Sequence, residues 1–229
     1  MSLEERTKGN KNKPDRPRRG IKNDRIYRIL LCDVEGTLTK YRIAKMAQAQ
    51  QTQVSLLLRK LEKLHLVTAT RVVDPKGLLN LWSRLNIKYE SQSYMLPKVM
   101  ETLKKTNLEY GLTTYRAESF VNRYLFPSRT DLYIRRDDFD EWHAMLVGAG
   151  ALVGGGNVRL RWYDDQVFHN SFSVEGYRLV TIPQLIIDLI REGSSAVEAA
   201  EQMMEKYSDL MRLNSMGSVY FDEAPGTAW

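Results

Sequence analysis

Apolar residues recur at helical spacing through the first third of the chain, then switch repeatedly between helical and alternating spacing. Over residues 24–33, Ile26, Ile29, Leu30 and the following Val34 predict a short helix with Asp24 as its N-cap and Gly36 as the glycine that closes it. Residues 39–49 predict a second helix, capped by Thr37 or Thr39, with Ile43, Ala44, Met46 and Ala47 on its inner face. A polar turn follows at residues 48–51. The third helix, 52–64, carries Val54, Leu57, Leu58, Leu61 and Leu64 in one stripe, with Thr52, Ser55, Leu56, Arg59 and Lys63 on the opposite side. Residues 65–73 are rich in Val and Thr and read as strand with little room for a turn. Asp74 and Pro75 then start a helix through Leu78, Leu79, Trp82 and Leu85.

The rest of the chain predicts helices at 97–106, 117–124, 137–147, 183–190 and 195–207, and strands at 131–134, 157–163 and 177–181. Glycines 148, 150 and 154–156 surround Ala151, Leu152 and Val153 and read as loop or hairpin connections. The order helix, helix, turn, helix, strand predicts an α+β protein: an N-terminal winged helix-turn-helix at 24–85, then a mixed α/β domain at 86–210. The first domain follows a disordered basic arm, 1–23, and a flexible tail, 211–229, ends the chain.

Charge sharpens this division. Of the 229 residues, 34 are Lys or Arg and 28 are Asp or Glu. Residues 1–23 hold eight basic residues against three acidic, and residues 24–85 hold eleven against five; the remainder is acidic. A cationic front half points to a polyanionic partner. No apolar run is long enough to span a membrane, so no membrane partner is expected. One cysteine, Cys32, and the lack of an apolar leader point to the cytoplasm.

The third helix has the composition of a groove reader. Arg59 and Lys63 share its outer face, and Thr52 and Ser55 place hydroxyls near its N-terminus, where backbone amides favour phosphate. Gln48, Gln50, Gln51 and Gln53 cluster at its entrance, and glutamine pairs bidentately with adenine. An outward Leu56 gains little in a free domain but can meet a thymine methyl or another subunit. Lys40, Arg42 and Lys45 on the second helix suit backbone phosphates, and Arg71 suits a wing. The DNA-binding set is therefore Lys40, Arg42, Lys45, Gln51, Thr52, Gln53, Ser55, Leu56, Arg59, Lys63 and Arg71. A homodimer would suit a palindromic site, although no heptad segment demands one. No catalytic residue, metal ligand or cofactor is assigned: His65, His143 and His169 are widely spaced, and no Ser-His-Asp or Cys-His set has a recognisable context. The alternative is an enzyme tethered to nucleic acid, with Asp131, Asp164 and Asp165 as metal carboxylates.

Residues 36–44 (GTLTKYRIA) and 54–64 (VSLLLRKLEKL) resemble the winged-helix domains of prokaryotic transcriptional regulators. That resemblance implies that the helix after the turn enters the major groove, with Gln53, Ser55, Leu56, Arg59 and Lys63 facing the bases. Residues 156–160 (GNVRL), 180–189 (VTIPQLIIDL) and 198–201 (EAAE) are similar to the C-terminal domain of AbiEi-type antitoxins. This second resemblance implies an autoregulating repressor whose C-terminal domain counters a nucleotidyltransferase-like toxin. No catalytic residue comes with it.

Overall fold

The computed structural model describes residues 20–207 and Asp209. The expected arm up to residue 19 and the tail at 211–229 lie outside the described residues. Helix α1 (Ile21–Cys32) begins three residues earlier than its apolar spacing suggested. Asp24 therefore lies inside the first turn and is no cap. Its buried carboxylate accepts from Arg28 Nη2 at 2.6 Å, Trp82 Nε1 at 2.7 Å and the Tyr163 hydroxyl at 3.0 Å. Asp33 ends α1 and caps the next turn, accepting from Thr37 Oγ1 at 2.7 Å and Leu38 N at 2.8 Å.

Helix α2 (Lys40–Met46) starts at Thr39, whose hydroxyl accepts from Arg42 N. Helix α3 (Gln51–Lys63) buries Val54, Leu57, Leu58 and Leu61 against the helices beneath. Burying each contributes about 1.5–3 kcal/mol. Leu64, the last residue of the expected stripe, is half exposed because the helix has ended before it. The Val/Thr-rich stretch is a two-stranded hairpin, β1 (Val67–Thr68) and β2 (Arg71–Val72), with Val67 opposite Val72. The turn that seemed not to fit is made by Ala69, in the left-handed region at φ 56°, and Thr70. Helix α4 (Pro75–Ser83) is capped as the sequence indicated, with the Asp74 carboxylate accepting from Gly77 N at 2.8 Å.

Gly36 is not a helix cap but the seat of this hairpin. At φ +72°, it comes so close that a Cβ would sit 2.5 Å from Arg71 N and 2.7 Å from Arg71 Cα. Both obstacles are backbone, so they cannot rotate aside. We expect Gly36→Ala to cost about 1–3 kcal/mol, read as a lower urea midpoint at unchanged slope.

The remaining elements are β3 (Glu90–Met95), α5 (Val99–Lys105), β4 (Tyr110–Thr113), α6 (Thr114–Val121), β5 (Thr130–Ile134), α7 (Phe139–Gly148), β6 (Leu152–Val153), β7 (Val158–Trp162), a 3-10 turn (Asp165–Phe168), β8 (Phe172–Val174), β9 (Tyr177–Leu179), α8 (Ile182–Glu192) and α9 (Ser195–Glu205). The chain is thus a mixed α+β protein with a seven-stranded sheet in the order β6-β3-β7-β5-β4-β9-β8. The pairs β5–β7 and β4–β9 are parallel; the others are antiparallel. Residues 154–157 carry the chain from β6 around the end of β3 to β7. Gly156 passes so close there that a Cβ would lie 2.3 Å from Tyr94 O.

Alternation along the central strands gives the sheet two unlike faces. Tyr110, Leu112, Leu132, Ile134, Val158 and Leu160 form the apolar face, where the Tyr110 ring meets Trp142 of α7 edge-on. Thr113, Asp131, Tyr133, Arg159 and Arg161 form a polar face turned to α8. There Asp188 accepts from Thr113 Oγ1 at 2.6 Å and the Tyr133 hydroxyl at 3.0 Å; burial pushes its carboxyl above the usual range against the pull of Arg161 and Arg191. The front helices share a continuous core with this sheet layer. Arg28 Nε reaches Gln184 Oε1 at 2.9 Å, and the Tyr207 hydroxyl reaches Leu31 O at 2.8 Å.

Candidate nucleic-acid interface

The outer side of α3 remains open to solvent. Gln51, Thr52, Leu56, Arg59 and Lys63 are exposed, and Gln53 and Ser55 are half-buried. Leu56 is 64% exposed, although its two neighbours Leu57 and Leu58 are in the core. Gln50 precedes the helix without a side-chain cap, which leaves the first backbone amides of α3 for an outside acceptor. Lys40, Arg42 and Lys45 are exposed along α2.

Three groups that sequence reasoning passed over belong to this surface. Tyr41 of α2 is 63% exposed. Lys60 and Asn23 border an open groove of about 470 Å3 beside α3, shared with Gln50, Thr52, Gln53 and Leu56. Lys60 was legible as one more cation on the helix. Asn23 was not, because only the packing of α1 brings it to α3. Arg71 sits at the hairpin, but its guanidinium pairs with Glu35 at 3.2 Å, both side chains largely in solvent. Such a pair contributes only about 0–1 kcal/mol and yields readily to a better anion.

The turn before α3 is braced from two sides. Arg25 of α1 donates to Gln48 Oε1 at 2.7 Å and Ala47 O at 3.2 Å, and it forks onto Asp164 at 2.9 and 2.7 Å. Lys22 donates to Gln48 O, and Gln166 of the 3-10 turn donates to Met46 O. A cleft of about 360 Å3 opens beside these contacts, bordered also by Arg136, Trp162 and Asp165. The carbonyls at the end of α2 are thus satisfied by groups from α1 and from the far layer, which fixes where α3 starts.

The three carboxylates considered as metal ligands are each held by arginine elsewhere. Asp131 is buried among Arg129, Arg159 and Arg161, Asp164 is forked by Arg25, and Asp165 pairs with Arg135 at 2.8 Å. Among the described residues, no group of three or more His, Cys, Asp or Glu side chains could hold a metal ion. Cys32 is half-buried, and burial pushes its thiol up to about 11, which keeps it protonated and unreactive near neutrality. Among the described residues, no helix is long and apolar enough to cross a membrane.

Comparison with protein-family models, with curated proteins and with solved structures found no match for this chain.

Proposed function

We propose that residues 21–85 form a winged helix-turn-helix that binds duplex DNA sequence-specifically, and that the protein is a transcriptional regulator. The observation that carries this reading is the exposure of the Thr52–Leu56–Arg59–Lys63 side of α3, while its leucines hold the helix to the core. An exposed basic helix face preceded by a rigid turn can enter a major groove without rearranging the fold. Arg59 and Lys63 donate to guanine or to phosphate, the glutamines suit adenine, and Leu56 suits a thymine methyl. Lys40, Arg42 and Lys45 set the register on the backbone. The hairpin is too short to reach deep into a groove, so Arg71 serves the sugar-phosphate edge. The acidic sheet layer then fixes the reading helix through Arg25, Asp164 and Gln166. The alternative of a metal-dependent enzyme has its three proposed ligands tied to arginines.

The test is selection of bound fragments from a random duplex pool, followed by titration of the selected site with Arg59→Ala/Lys63→Ala. Each lost base contact costs about 1–3 kcal/mol, so specific affinity should fall roughly 30-fold or more. Melting should stay within about 0.5 kcal/mol of the parent, since both side chains are exposed. Retained affinity in the folded double variant would remove α3 as the reading helix. For six to ten neutralised phosphates, the parent should also lose about 10³–10⁵-fold in affinity between about 50 and 200 mM salt.

A further inference from the structure

Three arginines and two carboxylates meet where β5, β7 and the C-terminal end of α8 converge. Asp131 accepts from Arg129 Nε at 2.8 Å, Arg159 Nε at 2.9 Å and Nη2 at 3.0 Å, and Arg161 Nη2 at 3.1 Å. Glu192 accepts from Nη2 of the same three residues: Arg129, Arg159 at 2.7 Å and Arg161 at 2.9 Å. Every one of these bonds leaves from Nε or Nη2, so the Nη1 groups take no part in them. Asp131 and Arg161 form a floor at 0% and 1% exposure, while Arg129, Arg159 and Glu192 reach solvent at 27%, 16% and 14%. The buried Nε of Arg161 has no hydrogen-bond partner, so donor capacity in the cluster exceeds what its two carboxylates take up.

The two carboxylates are not equally fixed. Asp131 lies on a central strand and also accepts from Thr114. Glu192 is the final residue of α8, where the helix dipole disfavours an anion. Immediately after it the chain leaves helical geometry, with Gly193 at φ 78° and Ser194 at φ 51°. Three guanidiniums are hydrogen-bonded to only two carboxylates; the buried Asp188 also acts on Arg161 but is bonded to Thr113, Tyr133 and Gln184, so Glu192 is the carboxylate that is easiest to move. Planar guanidinium forks aimed at one carboxylate are equally matched to a tetrahedral oxyanion.

We propose that Arg129, Arg159 and Arg161 form a binding site for a phosphate group, and that the Glu192 side chain is its displaceable internal occupant. The incoming oxyanion takes the three Nη2 donors, while Glu192 rotates into solvent. The site lies on the sheet layer, away from the outer face of α3, and does not depend on the DNA-binding reading.

Calorimetric titration of the full chain without DNA tests it, using inorganic phosphate and adenosine 5′-monophosphate against chloride at equal ionic strength. Glu192→Gln removes the competing charge and should bind phosphate at least tenfold more tightly than the parent. Adding Arg129→Ala, the most exposed of the three arginines, should reverse the gain. Tighter binding of the nucleotide than of the free ion would identify a phosphorylated small molecule as the source; equal affinities would identify the ion itself. No heat from either probe with Glu192→Gln, or binding indifferent to Arg129→Ala, overturns the proposal. If Glu192→Gln does not fold, the parent against Arg129→Gln decides: millimolar or tighter phosphate binding lost in the variant supports the site, and identical titrations overturn it.

Discussion

Asp131→Ala is expected to cost about 3–5 kcal/mol of stability, read as a large drop in the urea midpoint. That is about a fifth or more of what a typical domain has in reserve. The size follows from what the deletion leaves behind. Arg161 is 1% exposed, and its bonds run to Asp131 and Glu192. Without Asp131, a guanidinium on a central strand keeps only the helix-end carboxylate, and it cannot reach water without opening the sheet. Burial lowers the tendency of Arg161 to stay charged, but Asp131 and its other anionic neighbours overcome that and hold it above its ordinary value. Thr114 also loses its acceptor, leaving a second unmet buried donor. Asp131→Asn should cost less, because the amide oxygen still accepts, although its Nδ2 then faces arginine donors. A loss below about 1 kcal/mol for the alanine variant would show that the three arginines are held well enough without Asp131.

This polar sheet face also marks where sequence reading stopped. Periodicity located α2 and α3 and their inner residues well, because each buries one stripe and leaves the other side wet. In α1, residues 26–31 are all buried, so apolar spacing found Ile26, Ile29 and Leu30 but not Asp24, Tyr27, Arg28 or Leu31. The Asp74–Pro75 start of α4 was legible because it is a local signal. Residues 157–163 were legible as a strand, but alternation of Arg159 and Arg161 with Val158 and Leu160 ordinarily implies a wet face, and here that face lies under α8. What covers a face is a tertiary fact that period-two alternation does not carry. Strands β3 and β4 were not anticipated for a related reason. The sequence of β3, ESQSYM, has few β-formers and draws its pairing from β6 and β7. Residues 110–113, YGLT, are buried on both faces and have no alternation to read. The outer face of α3 was legible because its contrast lies within one helix. Asn23 and the bracing of Gln48 by Arg25 were not, since those partners are joined only by packing.

Asp24 separates two physical readings by magnitude, and Asp24→Ala is expected to cost about 3–5 kcal/mol. As an N-cap, which its sequence context suggested, its loss would cost about 1 kcal/mol. The structure instead makes it the shared acceptor of Arg28, Trp82 and Tyr163, all three contributed by different elements. Arg28 is fully buried, and its Nη1 already lacks a partner, so removing the carboxylate leaves a buried cation held by Gln184 and the Tyr163 hydroxyl alone. Trp82 loses the acceptor for its Nε1 in the same step. Because α1, α4 and the end of β7 meet at this carboxylate, its loss should also loosen the front helices from the sheet layer, seen as unfolding curves from tryptophan fluorescence and far-ultraviolet dichroism that no longer coincide. A double-mutant cycle with Trp82→Phe isolates the Asp24–Nε1 bond, with an expected coupling of about 1.5–3 kcal/mol for a hydrogen bond to a charged group. A cost near 1 kcal/mol with coincident curves would return Asp24 to the role of a local helix-start residue and leave α1 attached to the sheet layer through its apolar face, the Arg25–Asp164 fork and the Arg28–Gln184 bond.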